Sequence, residues 1–337
     1  MGEPARWRVS AIIPAYNRAD LLPETIGCLL AQTTPPYEII VVDDGSTDAT
    51  AEVVGGFGER VRYLRIVNGG APVARNAGAA VARGDWFWFC DSDDLWRPQY
   101  LERCRRLATA APYPRMVFGD FSLVRDGVWD TAGKFDTAPA GFWEGIETRS
   151  AGADAVFTRP LYGEILRFQP IFHSTLMVAR SLFEEIGGYD PQFARTGSED
   201  FEFTLRCAAH APIGVVREPL VGIRRHRGNF SGNHLRALLG EVKILRHAKA
   251  RHAAAAGHAA LIDSEIARRT LDALVTAFAA NDHPKVLALA RELRPARLDP
   301  RSRFKVFVAG LPAAVRDPVI AMARLKSRLP ASEAVAP

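Results

Sequence analysis

The chain has 337 residues, 48% hydrophobic and 24% charged, with a formal net charge of +5. That length allows one large domain or a domain with an appendage, and a core that needs no disulfide or metal staple. No apolar run approaches the roughly 20 residues of a membrane span, which excludes crossing a bilayer. The mild basic excess fits an anionic ligand, a membrane surface or nucleic acid, and selects none of them. The basic residues are scattered and form no aromatic-basic strand motif, so nucleic acid is not an expected partner. Cys28, Cys90, Cys104 and Cys207 show no CxxC pair or framework spacing, which predicts reduced thiols and a cytoplasmic protein. The start, MGEPARWRVSAIIPAYN, has no apolar signal core, and Arg6 stands where a myristoylation signal wants Ser or Thr.

In chain order, short apolar runs alternate with helical spacing. Arg8 to Pro14 predicts a buried strand, and Asp20 to Gln32 a helix with Leu21, Leu22, Ile26, Leu29 and Leu30 on one face. Glu38 to Val42 reads as a second strand. The turn after it offers Ser46, Thr47 or Asp48 to cap a helix over Ala49 to Val54. VRYLRIV is a third strand, APVARNAGAAVARG a third helix closed by Gly84, WFWFC a fourth strand and RPQYLERCRRLAT a fourth helix. This alternation predicts an α/β fold with a doubly wound, mostly parallel sheet. RMVFGDFSLV and GVWDTAG then read as strands, and Thr131 to Arg167 as an irregular insertion. HSTLMVARSLFEEIGGYD is a strand and a short helix ended by Gly187 and Gly188. SEDFEFTLRCAAH is a helix, and IGVVREPLVGIRRH is two short strands. From Asn233 the chain turns helical, Ala-rich and basic, with a domain boundary expected near Ser231 and a frayed end at PASEAVAP.

In an open α/β sheet, ligands bind beyond the carboxyl ends of the strands. Here those ends are PAYN (Pro14, Ala15, Tyr16, Asn17), DDGSTD (from Asp43 and Asp44) and DSDD (Asp91, Ser92, Asp93, Asp94). They place an aromatic ring, an acidic turn and a carboxylate cluster on one edge. GxGxxG is missing from the first turn and GxxxxGK[ST] from the whole chain, so no backbone cradle of the usual kind holds a phosphate. Asp91 and Asp93 point instead to a hard divalent cation bridging carboxylate and diphosphate, a solvated acidic turn being the plainer alternative.

The run VSAIIPAYNR to YEIIVVDDGSTD, then ARNAGAAVARGDWFWFCDSDD, FHSTLMVARSLFEEIGGYDPQF, GSEDFEFTLRCA and RRHRGNFS, closely resembles the family 2 glycosyltransferases, which have the A-type nucleotide-sugar transferase fold. The resemblance covers residues 8 to 231. It implies a catalytic domain over 1–231, with a nucleotide-binding half over about 8–111 and an acceptor-binding half over about 112–231, followed by a helical extension over 232–337. It implies that Pro14, Ala15, Tyr16 and Asn17 line the base pocket, that Asp44 meets the base with Asp43 supporting the turn, and that Arg75 lies near the diphosphate or the acidic turn. Asp91 and Ser92 would face the donor, Asp91 and Asp93 would hold Mn²⁺ or Mg²⁺, and His226, with Arg224 beside it, would complete that metal site or touch the diphosphate. Asp94 would only begin the next segment. Asp200, with Glu199 beside it, would be the general base at a helix start, and His173 a weaker candidate on the acceptor side.

The implied reaction moves a sugar, most commonly from uridine diphosphate, to a saccharide, lipid-linked or small-molecule hydroxyl with inversion, as in cell-envelope polysaccharide or glycoconjugate synthesis. An unperturbed Asp is a weak base at neutral pH, so proton removal is expected late. A sugar-1-phosphate nucleotidyltransferase and a non-catalytic nucleotide-sugar module are the competing readings. Arg236, Lys243, Arg246, Lys249 and Arg251 make the extension basic. A solvated helix face accounts for this most simply, and peripheral contact with the inner face of a membrane and a homodimer through the C-terminal helices stay open.

Overall fold

The computed structural model describes residues 6–144, 146, 148–226, 233–293, 298–318 and 320. The expected alternation is present: β1 (Val9–Ala15), α1 (Leu22–Leu30), β2 (Glu38–Asp43), α2 (Thr50–Gly55), β3 (Arg62–Arg65), α3 (Ala71–Val81) and β4 (Trp86–Phe89). A short strand, β5 (Leu95–Trp96), follows before α4 (Tyr100–Ala108). The first four strands lie parallel in the order β3-β2-β1-β4. Helical crossovers cover both faces of such a sheet, so its strands are apolar throughout rather than alternating. In β4, Trp86 and Trp88 join the core on the side of α1 and α4, with Leu22, Leu29 and Tyr100. Phe87 and Phe89 face the opposite core, with Ala74 and Phe203. Burying a large apolar side chain contributes about 1.5–3 kcal/mol.

Two glycines set how α3 lies on the sheet. A Cβ at Gly78 would sit 2.4 Å from Ile12 and 3.0 Å from Val42, so the helix rests directly on β1 and β2. Gly84 does not cap α3, which ends at Val81. It approaches β1 instead: a Cβ there would meet the Arg8 carbonyl at 2.6 Å, and its amide donates to Ser10 Oγ (2.9 Å).

The second half adds β6 (Met116–Arg125), β7 (Val128–Trp129), β8 (Thr148–Ala151), β9 (Asp154–Phe157), α5 (Tyr162–Arg167), β10 (Leu176–Ala179), α6 (Arg180–Glu185), α7 (Glu199–Ala208) and β11 (Ile213–Arg224). The sheet continues β4-β10-β6-β11-β9-β8, with β10 antiparallel to both neighbours and β11 parallel to β6. The stretch expected to be irregular therefore carries the β8–β9 hairpin and α5, strands and a helix too short to give a periodic signal. IGVVREPLVGIRRH forms one strand rather than two. Its pairing with β6 shifts register between Val216 and Val221, where the charged break REP falls.

The extension forms α8 (His234–Arg251), α9 (Ala259–Ala279), α10 (His283–Glu292) and α11 (Pro300–Ala309). Ile244, Leu245 and Ala248 of α8, with Ala255 and Ile262, bury in the same core as Phe201, Phe203 and Leu205 of α7. Leu274 and Ala277 of α9 pack separately with Val286 and Leu289 of α10. Ser231 and the segment PASEAVAP lie outside the described residues. None of the described helices is long and apolar enough to cross a membrane. All four cysteines are free thiols, and three of them are buried.

Candidate active site

The tips of β1 and β2 are tied together by backbone and side chain. The Asp44 amide donates to the Ala15 carbonyl (2.8 Å), and the Asn17 amide to Ser46 Oγ (2.9 Å). Asn17 Oδ1 accepts from the Thr47 amide (2.8 Å), with its own backbone at a φ of 51°. Asn and Asp adopt that left-handed conformation more readily than other side chains. Pro14 and Ala15 pair with Val42 and Asp43 at the end of the ladder, which leaves the Tyr16 ring standing free at 48% exposure. Asp43 is fully buried and holds the turn from beneath, accepting from the Ser46 amide (2.7 Å) and the Tyr63 hydroxyl (2.5 Å). Asp44 reaches the other way, and its two oxygens accept from the Gly69 (2.7 Å) and Gly70 (2.8 Å) amides just before α3. Asp48, rather than Ser46 or Thr47, takes the start of α2, accepting from the Thr50 amide (3.0 Å).

Beyond β4 the carboxylates divide. Asp91 meets Arg75 of α3, Nη2 to Oδ1 at 2.6 Å. Arg75 is only 3% exposed, so it is an interior cation rather than a surface helix arginine. Its Nε and Nη1 are buried without a hydrogen-bond partner among the described residues. Burial raises the Asp91 carboxyl above its ordinary range, Arg75 opposes that, and the like charge of Asp93 adds to it. Asp93 Oδ2 lies 2.9 Å from His226 Nε2 and 3.9 Å from Arg18 Nη2. Ser92 is buried in the turn, its carbonyl accepting from Thr25 of α1 (3.2 Å).

Asp94 does more than begin the next segment. It is 1% exposed and accepts from Ser174 Oγ (2.5 Å) and the Arg224 amide (3.0 Å). Ser174 Oγ accepts in turn from the Asp91 amide (3.1 Å), so one hydroxyl buckles both ends of the acidic turn. Burial first, and then the charges of Asp93 and Asp91, push the Asp94 carboxyl well above its usual value.

Glu199 and Asp200 open α7, where unpaired amides and the helix dipole favour negative charge. Asp200 nevertheless titrates unusually high. Burial, then the like charge of Glu199, push its carboxyl up to about 7, against the pull of Arg75. Phe203, further along α7, stacks on Tyr189 (ring centroids 3.8 Å), which in turn borders Arg75, so this end of α7 packs beside the Asp91–Arg75 pair. Between them lies a buried polar group absent from the sequence expectations. The Tyr189 ring sits 5.4 Å from the Arg75 guanidinium carbon and 5.3 Å from the His173 ring. Tyr189 Oη and His173 Nε2 are both buried without a hydrogen-bond partner among the described residues. Burial, reinforced by Arg75, keeps His173 neutral well below its usual pKa. Asn76 clamps the Tyr189 backbone at both N–H (2.9 Å) and C=O (2.8 Å).

Residues 10–129 match the family model described as Glycosyl transferase family 2. An uncharacterized glycosyltransferase of Rickettsia prowazekii is 42% identical over 238 residues, covering 68% of each chain. The chain is a family 2 glycosyltransferase. Validoxylamine A glucosyltransferase of Streptomyces hygroscopicus subsp. limoneus is 32% identical over 251 residues, 66% of this chain and 54% of that protein. The chain thus spans about half the length of that relative. Among solved structures, S. aureus TarS 1-349 in complex with UDP-GlcNAc superposes with a TM-score of 0.62 at 18% identity, covering 95% of this chain and 88% of that one. The shared fold is the mostly parallel A-type sheet with its flanking helices.

Among the described residues of this glycosyltransferase, one further group of metal-capable side chains stands apart from the acidic turn. Glu202, His247 and His252 bring ligand atoms within 4.8 Å of one another. Both Glu202 oxygens already accept from Arg206 (2.6 Å each), and His252 Nε2 lies 3.3 Å from Oε1. A guanidinium on both oxygens opposes a dication there, so the group serves to fasten α7 to α8. Tyr189, Asn76, Ser174 and Thr25 were not singled out from sequence. Only GGYD, a tyrosine straight after a helix-ending glycine pair, carried a local sign of a placed ring.

Proposed function

We propose that this glycosyltransferase moves a sugar from a nucleoside diphosphate, most simply UDP, to an acceptor hydroxyl with inversion at the anomeric carbon. The observation that carries the reading is the placement of Asp200. Asp200 stands at the start of the helix whose Phe203 stacks on Tyr189, the ring that borders Arg75, and burial and then Glu199 raise its carboxyl to about 7, which supports a base beside the donor-side groups. The UDP-GlcNAc complex of the structurally similar TarS supports a uridine nucleotide as donor.

Tyr16, exposed at the tip of β1, supplies the face on which the base stacks. Asp44 has lone pairs beyond those used by Gly69 and Gly70, and these accept from a base N–H. Arg75 holds Asp91 with one nitrogen and keeps Nε and Nη1 to donate to the diphosphate. The donor set fits a hard divalent cation, Mn²⁺ or Mg²⁺. Asp91 and Asp93 are partly exposed carboxylates, their mutual repulsion is only partly met by Arg75, and His226 adds an imidazole nitrogen against Asp93. Asp91, Asp93 and His226 would hold it, and when bound it neutralises charge on the leaving diphosphate. Asp200 takes the acceptor hydroxyl proton as that oxygen bonds to the anomeric carbon. The bond from that carbon to the diphosphate oxygen breaks with its electron pair leaving on the diphosphate. Burial, and then the like charge of Glu199, keep Asp200 basic enough to do this near neutrality, so the proton need not wait for a late transition state.

A panel of nucleotide sugars scored by thermal shift with Mn²⁺ tests the donor assignment, because a ligand of the native state raises its stability. A UDP-sugar should stabilise the wild type and lose most of that effect in Asp93→Asn. No response to any nucleotide sugar, or an unchanged response in Asp93→Asn, would contradict the reading.

A further inference from the structure

Just after α6 the chain passes close to α3. Gly188 has a φ of 69°, and a Cβ there would sit 2.9 Å from Asn76 Oδ1, so a side chain would push this segment off the helix. The next residue is Tyr189, whose backbone Asn76 holds at both N–H and C=O. Asn76 directly follows Arg75 in α3, so the clamp fixes the tyrosine against the arginine's own turn. The Tyr189 ring is 2% exposed. Phe203 of α7 stacks on it at 3.8 Å with 18° between the ring planes, and Phe89 of β4 meets it edge-on at 5.0 Å. The Arg75 guanidinium carbon lies 5.4 Å from its centroid, within the range of a cation–π contact. One ring thus joins the helix that carries Arg75, the strand that leads to Asp91 and the helix that begins with Glu199 and Asp200.

Among the described residues, Arg75 hydrogen-bonds Asp91 through Nη2 (2.6 Å), while its Nε and Nη1 have no partner. A guanidinium held at one nitrogen can turn about that contact. A second hydrogen bond would stop the turning but use up an N–H. An aromatic face stops it and uses none. Building on the glycosyltransferase reading, we infer that Tyr189 is a positioning residue for donor binding: its ring holds the Arg75 guanidinium in place on Asp91 and leaves Nε and Nη1 for the nucleotide's diphosphate. The ring, not the hydroxyl, does this. Tyr189 Oη is buried without a hydrogen-bond partner among the described residues, so it fastens nothing around it. Because Phe203 braces the ring from α7, the hold on the donor-side arginine depends on the helix that carries the proposed base.

The test titrates UDP with Mn²⁺ into the full chain by calorimetry, where stoichiometry reports the folded fraction and Kd the site. Tyr189→Leu and Tyr189→Met keep an apolar side chain and remove the aromatic face. Both should weaken UDP about tenfold at near-unit stoichiometry, and Tyr189→Phe should stay within about twofold of the wild type. A ring that served packing alone would lower the stoichiometry and leave Kd unchanged, which would overturn the inference. So would Tyr189→Phe losing as much affinity as Tyr189→Leu, because the hydroxyl would then be the acting group. In the Arg75→Gln background, Tyr189→Leu should cost no further UDP affinity, and additive losses would contradict a hold exerted through the guanidinium. The same double-mutant cycle run in urea needs no nucleotide, and there too the two losses should fall short of additive. A wild type that ignores UDP while the urea cycle still couples Arg75 to Tyr189 would overturn the donor assignment and keep the ring's hold on the arginine.

Discussion

At the scale of single residues, the site turns on carboxylates whose environments differ sharply over short distances. Asp43 and Asp94 are buried and serve the backbone, whereas Asp91 and Asp93 face the crevice. Asp200 carries the largest functional consequence. Its folded pKa, about 7, lies above the unfolded value, so its contribution to stability is fully present below about pH 4 and lost as pH rises through 7. Asp200→Asn should therefore melt higher than the wild type above pH 7, by roughly 1–4 kcal/mol of unfolding free energy at most, and at the same temperature below pH 4. Parallel melts of variant and wild type at pH 3.5 and 8 check this, and equal melting temperatures of the two at both pH values would show that the carboxyl is not raised. Asp94 makes a different prediction. Its oxygens satisfy Ser174 and the Arg224 amide. Asp94→Ala should cost about 1–3 kcal/mol in denaturant unfolding, and Asp94→Asn less, because the amide keeps one acceptor.

At the scale of elements, α3 positions Arg75 against Asp91. ARNAG places Arg75 and Gly78 on one helix: the glycine lets the helix lie against Ile12 and Val42, and the arginine then reaches Asp91. Gly78→Val should cost about 1–3 kcal/mol through overpacking and should also weaken nucleotide-sugar binding, because α3 must lift from the sheet. Urea melts and donor titrations on the same variant check both effects, and a destabilised variant with wild-type donor affinity would separate Arg75 from the helix position. The acidic turn is likewise fixed by elements distant in sequence, Thr25 on α1 and Ser174 before β10. Ser174 looked like the start of a strand because a single sequence gives no sign of which hydroxyl crosses between chain segments. Asp94 gives no sign of its buried role in sequence for the same reason, since its partners, Ser174 and Arg224, lie far along the chain.

At the scale of the whole molecule, the legible part of the fold was its first half. Parallel strands buried on both faces read as apolar runs, and the polar residues ending them mark the ligand edge, so PAYN, DDGSTD and DSDD could be placed on one crevice from pattern alone. The β8–β9 hairpin and α5 escaped because they are short and their packing partners are non-local. Asp200's elevated titration escaped because burial and neighbouring charge are properties of the folded chain. The extension, expected as a separate helical piece, shares its first helices' core with α7. A chain ending at residue 232 would expose Phe201 and Leu205, and we expect it to be recovered insoluble or to melt far below the full chain. A soluble truncation with wild-type melting would show that α8 and α9 are dispensable to the catalytic core.

The central claim, a general base on α7 facing the donor-side acids, is tested most directly by the pH dependence of nucleotide release from a UDP-sugar in the presence of its acceptor. Wild-type kcat/KM should fall on an acid limb with an apparent pKa near 7, and Asp200→Asn should retain donor binding while losing roughly 10²–10⁴-fold in rate, with no such limb. Near-normal turnover in Asp200→Asn, or a wild-type limb near pH 4, would contradict the account.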